Sequence, residues 1–357
     1  KFDEYFREAG LKEFIQILND FSPEMVLIDM EMHEHILALY ERGIPFTLLS
    51  QFFAVWPGEN FPPISSMTIP NNKSTGEIET LWNQERIKRK RAFSRHDVQT
   101  LGVNRKNALI YKANQIEFNR ELWIENVWPT PFVYDLVPVL SMVAKELDFE
   151  GSKRANHYYV GPQVDLDRWE SDMTGLNDIE QKLHQFAQGK KLIYLTRTSM
   201  DDQADQLFGM ILEIMQNRND LVLVCRKENN DDRRYPKNVV ALQWVPQMTV
   251  LKRADLCIHH AGIHTTHECI ITRTPMLVYS GGKHDQNGIL ARLKSLNLAY
   301  ISTIEKAEYN DIEIKLNQVL SLHNQHYQEI MNPLEQYHYL DWQELFKKLN
   351  ETNEADS

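Results

Sequence analysis

The apolar positions of this chain fall into short continuous runs separated by helical stretches. The run MVLIDM begins at Met25, a helical stretch follows, and after Gly43-Ile-Pro45 comes a second run, FTLLS. This β-α-β rhythm marks a parallel sheet with covering helices. A loop rich in Pro, Asn and Ser over 56–75 interrupts it, followed by a charged, helical stretch over 76–126 without a clean strand. The rhythm returns near 132–163 as FVYDLVPVLSMVAKELDF and then HYYV, closed by Gly161-Pro162. The polar stretch QVDLDRWESDMTG reads as a linker. Beyond it KLIYLTRT reads as a strand, and DQADQLFGMILEIMQ as a helix with Leu207, Met210, Ile211 and Ile214 on one face. LVLVC, VVAL, LCIH and MLVY read as further strands, apolar enough for a sheet covered on both faces. At the chain ends, 1–24 reads as one amphipathic helix, 324–350 as helical and the closing ETNEADS as disordered.

The pattern predicts an α/β protein of two doubly wound domains, the natural division for 357 residues. The expected boundaries are 1–163 for the first domain, 164–178 for the linker and 179–325 for the second. A helical segment over 326–350 is expected to pack back on the first domain.

Charge and cysteine content narrow the function classes. A formal net charge of −11 argues against a nucleic-acid partner, since a phosphate backbone needs a basic surface. The basic run Arg86, Lys88, Arg89, Lys90 and Arg91 reads as a solvated helix face. No apolar run reaches the roughly 18 residues of a membrane span, and the first segment does not read as a signal peptide. Cys225, Cys257 and Cys269 all sit in apolar stretches, as buried free thiols of a reducing compartment would. No transmembrane segment and a cytoplasmic location are the expectation.

The chemistry is concentrated between Trp244 and Gln286. LCIH runs into a turn at Ala261-Gly262 and a helix follows, with Gly262 expected to permit both the tight turn and close backbone approach. A strand–Gly–helix junction aims N–H groups and the positive end of a helix dipole at one point, which suits phosphate. His260 precedes the turn, Thr265 lies in the first helical turn, and Glu268 sits three residues on, on the same face. A carboxylate there can accept two hydrogen bonds from a ribose diol, and Trp244 offers a flat surface for a base. Together these describe a nucleoside diphosphate site at the carboxyl ends of parallel strands. The histidines at 259, 260, 264 and 267 place His260 and His264 one helical turn apart, but H-T-T-H-E matches no zinc-binding order, so no metal is expected. Asp165-Leu166-Asp167 reads as a solvated turn.

The same residues resemble the donor-binding signature of the UDP-glycosyltransferase superfamily, whose fold is GT-B. Its pattern, W-x-P-Q, a Leu, H-x-G-x-x-[ST]-x-x-E, a Pro and [DE]-Q, is met by Trp244, Pro246, Gln247, Leu251, His260, Gly262, Thr265, Glu268, Pro275, Asp285 and Gln286. The resemblance implies two Rossmann-like domains facing a cleft. It implies that Trp244 stacks on uracil, that the Val245 backbone meets the base edge and that Gln247 reaches the ribose. His260 and the N–H groups of His264 and Thr265 would hold the diphosphate, Glu268 the ribose hydroxyls, and Asp285 and Gln286 the donor hexose. Thr198 falls where the family places a small hydroxyl residue near the phosphates, although Arg197 replaces a usual Gly. His264 stands where Asn or Gly is common, and Ser280 where many members have Pro.

In the first domain Asp29 matches the Asp that orients a catalytic His. The strand and loop bearing that His have no counterpart, so the N-terminal domain is expected to be incomplete. The implied activity is inverting, metal-independent transfer of a hexose from a UDP-sugar, with UDP-glucose as the expected donor, to a hydroxyl of a small apolar acceptor. No cofactor is implied beyond the UDP-sugar co-substrate. The alternatives are a UDP-sugar epimerase or hydrolase of the same fold, or a non-catalytic nucleotide-sugar-binding protein.

Overall fold

The computed structural model describes residues 1–58, 61–151, 154, 156–166, 181, 183, 185–196, 202–228, 231–283, 285–321, 334 and 341–355. The chain divides into two compact units, Lys1–Gly161 together with Tyr337–Ser357, and Pro162–Gln336. Most of the stretch read as a linker, from residue 167 onward, lies outside the described residues.

In the first unit, β1 (Val26–Asp29), β2 (Phe46–Ser50), β5 (Val139–Ser141) and β6 (His157–Tyr159) form a parallel sheet in the order β1-β2-β5-β6. Two further strands, β3 (Trp123–Glu125) and β4 (Phe132–Tyr134), pair antiparallel. β3 falls in the stretch read as free of strands, because three residues are too few for alternation to register. It is fixed by a cross-strand stack of Trp123 on Phe132, ring centroids 4.2 Å apart and 9° from parallel.

Both chain ends differ from their sequence reading. The first segment forms two helices, Phe2–Glu8 and Leu11–Phe21, and not one. Gly10 between them adopts φ 73°, a left-handed conformation open to glycine, which ends one helix and starts the next. At the other end, the helix Trp342–Ala355 continues through residues read as disordered. Leu345 and Leu349 of this helix join Leu140 and Val160 in a shared core. Packing supplies the helix nucleus, after which extension by a few polar residues costs little.

A buried ion pair ties three helices of this unit. Arg105 reaches both carboxylate oxygens of Glu34 at 2.8 Å, and Tyr5 donates its hydroxyl to the same carboxylate at 2.5 Å. Tyr5 lies on Phe2–Glu8, Glu34 on the helix His33–Glu41 and Arg105 on the helix Arg105–Gln115.

The second unit is built on one six-stranded parallel sheet. Its strands are β7 (Lys191–Leu195), β8 (Leu221–Arg226), β9 (Val239–Leu242), β10 (Leu256–His259), β11 (Met276–Ser280) and β12 (Ala299–Thr303), arranged β12-β11-β10-β7-β8-β9. The chain winds outward in one direction through β7, β8 and β9, then returns to begin again beside β7 with β10. That reversal is the topological switch point of a doubly wound sheet, where ligands bind beyond the strand ends. All residues of β10 and β11 are buried, as strands covered on both faces must be. On one face the helices Asp202–Gln216 and Tyr309–Leu320 set Phe208, Ile211, Ile312 and Leu316 into a core with Ile193, Leu223 and Ile258. Among the described residues no helix is long and apolar enough to cross a membrane.

Candidate functional site

The residues singled out between Trp244 and Gln286 are carried by the carboxyl-end loops of the second unit's sheet. β10 ends at His259, and the helix Ile263–Ile271 begins after three intervening residues. The turn between them corrects the sequence reading of Gly262. The left-handed residue is Ala261, at φ 67°, whereas Gly262 has an ordinary extended conformation at φ −70° as the helix N-cap. What Gly262 supplies is space: a Cβ there would stand 3.1 Å from Nε2 of His260. The His260 ring therefore lies over the glycine at the mouth of the helix.

Ala261 is buried and is held by its neighbour two residues back, its backbone N–H donating to Nδ1 of His259 at 3.3 Å. That bond requires a neutral ring accepting at Nδ1. Burial, and secondarily the nearby His260, push the pKa of His259 down to about 3, so the ring remains neutral. Burial lowers the pKa of His260 as well. The N-cap of the nine-residue helix is Gly262, which has no side chain to cap it, and the positive end of the helix dipole points at the turn. His264 is exposed in the first helical turn, with Thr265 beside it nearly buried.

Gln247 meets the helix Ile263–Ile271 from the segment that follows β9, which also carries Trp244. Trp244 follows β9 and is 42% exposed, an unusual state for so large an apolar side chain and suited to stacking. Val245 is half-buried beside it, and Pro246 caps the short helix Gln247–Leu251. The Gln247 amide donates to the Glu268 carboxylate and lies 3.5 Å from the Thr265 hydroxyl. Its carbonyl oxygen accepts from the Tyr194 hydroxyl at 3.0 Å. Sequence reasoning did not find Tyr194, because within the strand KLIYL a tyrosine reads as core; Glu268 itself is 4% exposed.

The third edge follows β11. Gln286 is buried, and its amide oxygen accepts from the backbone N–H groups of Gly281 at 3.0 Å and Lys283 at 3.4 Å, which folds that loop over the strand end. Asp285 is the N-cap of the helix Gln286–Ser295 but makes no capping bond with its side chain. Burial pushes its pKa up to about 6, against the opposing pull of its own backbone N–H and of Arg292. Ser280 donates to Asn287 at 3.0 Å and accepts from Gly282 N–H at 2.8 Å.

Trp244, Val245, Gln247, His260, Gly262, His264, Thr265, Glu268, Asp285 and Gln286 are thus all placed on the carboxyl-end side of one sheet. Thr198 lies outside the described residues. Asp29, in the other unit, ends β1 and accepts the Glu31 N–H at 2.8 Å. Among the described residues no group of three or more His, Cys, Asp or Glu is placed to hold a metal ion. The three cysteines are free and buried.

No family model matches the chain. A UDP-glucosyltransferase of Bacillus subtilis strain 168, the uncharacterized YdhE, is 28% identical over 124 residues, covering 34% of this chain and 31% of the relative. A second from the same organism, the uncharacterized YojK, is 24% identical over 184 residues, covering 49% and 39%. The chain therefore matches well under half the length of these curated relatives. Among solved structures, the glycosyltransferase of kitacinnamycin superposes with a TM-score of 0.61 at 15% identity, over 94% of this chain and 78% of that one. The glycosyltransferase VinC, solved in complex with dTDP, gives 0.58 at 13% identity, over 99% and 79%. In fold the chain is a GT-B protein, and in sequence it resembles the UDP-glycosyltransferase superfamily.

Proposed function

We propose that the chain transfers a hexose from a UDP-sugar, UDP-glucose foremost, to a hydroxyl of a small apolar acceptor, with inversion and without a metal ion. The observation that carries this reading is that Gln247 bonds Glu268 and lies against Thr265 on the helix Ile263–Ile271, with the exposed Trp244 three residues before Gln247 in the chain. A base stacks on Trp244 with its edge at Val245, the ribose meets Gln247 and Glu268, and the diphosphate faces His260, His264 and Thr265. Asp285 and Gln286 take the hexose.

In the transfer, the acceptor oxygen bonds to the anomeric carbon as the carbon–oxygen bond to the diphosphate breaks. The helix dipole and donors at its first turn stabilise the departing charge. The acceptor proton passes to a base oriented, in this reading, by Asp29. The free, buried cysteines fit a cytoplasmic setting. VinC's complex with dTDP favours a second reading of the nucleotide, in which the donor is a dTDP-sugar.

The test incubates the protein with UDP-glucose or dTDP-glucose and a panel of hydroxylated aromatic acceptors, following nucleotide release and the product's anomeric proton by NMR. A β-linked product from an α-linked donor supports the proposal. Release of free glucose or epimerised donor in place of a glycoside would replace it with hydrolysis or epimerisation, and nucleotide binding without turnover with a non-catalytic role.

A further inference from the structure

We infer that Tyr194 is a positioning residue for the nucleotide site, its hydroxyl fixing the amide of Gln247 so that Glu268 is held to read the ribose hydroxyls. The inference rests on the donor-site reading above and adds to it a residue from the centre of the sheet.

Tyr194 is the fourth residue of β7, opposite Cys257 of β10 and Val224 of β8, and is 4% exposed. A phenylalanine would fill the same volume in this apolar strand. What the tyrosine adds is a hydroxyl that donates to Oε1 of Gln247 at 3.0 Å. An amide oxygen so engaged turns Nε2, with its two donors, toward the helix Ile263–Ile271. There Nε2 donates to the Glu268 carboxylate and lies 3.5 Å from Thr265 Oγ1. The reverse amide orientation would set Oε1 against a carboxylate oxygen, two acceptors in contact in a water-poor site.

Tyr194, Gln247 and Glu268 thus form one directed chain of hydrogen bonds. It links the strand on one side of the switch point to the helix that follows the strand on the other. Removing the tyrosine hydroxyl takes away one of the two bonds that hold the amide and loosens its hold on the carboxylate. The loss then falls on ligands that engage Glu268 through both ribose hydroxyls. A 2′-deoxyribose offers one hydroxyl fewer and is less sensitive.

The test is calorimetric titration of UDP and 2′-deoxy-UDP into the wild-type chain and the variants Tyr194→Phe, Gln247→Met, the double variant and Glu268→Ala, with melting temperatures measured alongside. The wild type is expected to prefer UDP. Tyr194→Phe should weaken UDP by about 5–10-fold, the range of one lost hydrogen bond, and 2′-deoxy-UDP by less than about twofold. The double variant should bind UDP no more weakly than Gln247→Met alone. Equal weakening of both ligands, together with a lowered melting temperature, would mean general loosening of the sheet and overturn the inference. Unchanged UDP affinity in Tyr194→Phe, with a clear loss in Glu268→Ala, would overturn it while leaving the donor site intact. A wild type that binds no UDP, or a Glu268→Ala variant that binds it undiminished, would remove the donor site and the inference together.

Discussion

The backbone N–H of Ala261 donates to the imidazole Nδ1 of His259, at 3.3 Å. This bond joins the last residue of β10 to a left-handed alanine and so sets the direction in which His260 and the following helix leave the sheet. An alanine at φ 67° is strained by roughly 1–2 kcal/mol relative to a right-handed conformation. His259→Leu should therefore cost about 1–3 kcal/mol of stability. His259→Asn, which returns an acceptor near the position of Nδ1, should cost less. Urea unfolding midpoints compare the two, and equal losses would show that the ring's bulk, not its acceptor, matters.

Four buried histidines, His33, His157, His259 and His267, give the chain a characteristic response to acid, burial pushing the pKa of His157 down to about 4. Burial pushes the pKa values of His33, His259 and His267 down to about 3, with Arg105, His260 and His264 respectively adding to the effect. These rings titrate near 6.5 when unfolded. Each contributes stability that is full above that value and is lost as pH falls from about 6.5 toward 3, at roughly 1.4 kcal/mol per pH unit. Unfolding measured at pH 7, 6 and 5 should show the decline, and His259→Asn should make it shallower by one histidine's share. An unchanged slope would mean that His259 titrates normally in the folded chain.

Asp285 shifts in the opposite direction. Its pKa is pushed up to about 6, so its folded-state contribution is full below the unfolded value near 3.8 and is lost as pH rises through about 6. Asp285→Asn should stabilise the chain at pH 8, with the gain closing below pH 4. If the ionised carboxylate binds the hexose, affinity for UDP-glucose should fall below pH 6 while that for UDP changes little. The variant should lose this difference. Parallel titrations at pH 5 and 8 check both expectations.

In the first unit the ion pair of Glu34 and Arg105 carries a separate prediction. Burial raises the pKa of the Glu34 carboxyl, but hydrogen bonds and charge from Arg105 overcome it and hold the group at about 2. The pair's stabilisation is present above the unfolded value near 4.5 and lost as pH falls toward 2. Glu34→Gln leaves a partly buried guanidinium without its counter-charge and should cost about 2–4 kcal/mol at pH 7. A loss below about 1 kcal/mol in thermal or urea unfolding would mean that solvent compensates Arg105.

Much of the second unit was legible in the sequence because its strands are buried on both faces and read as uninterrupted apolar runs. The site was legible because its residues lie close together in the chain. What escaped was conformational or long-range. The left-handed residue proved to be Ala261, since the glycine next to it advertised a turn that a buried alanine makes with help from His259. Tyr194 lies 53 positions before Gln247, and no local spacing announces a hydrogen bond across the sheet. In the first unit, β3 was hidden by its brevity, and the break at Gly10 by the apolar periodicity that continues on both sides of it.

Titration calorimetry of UDP with the wild type and Glu268→Ala decides whether Trp244 through Gln286 bind a nucleoside diphosphate sugar. The wild type should bind UDP, and the variant should lose about 2–4 kcal/mol of binding through the charged hydrogen bonds to the ribose. Equal affinity in the two proteins, or no binding by the wild type, would contradict that assignment.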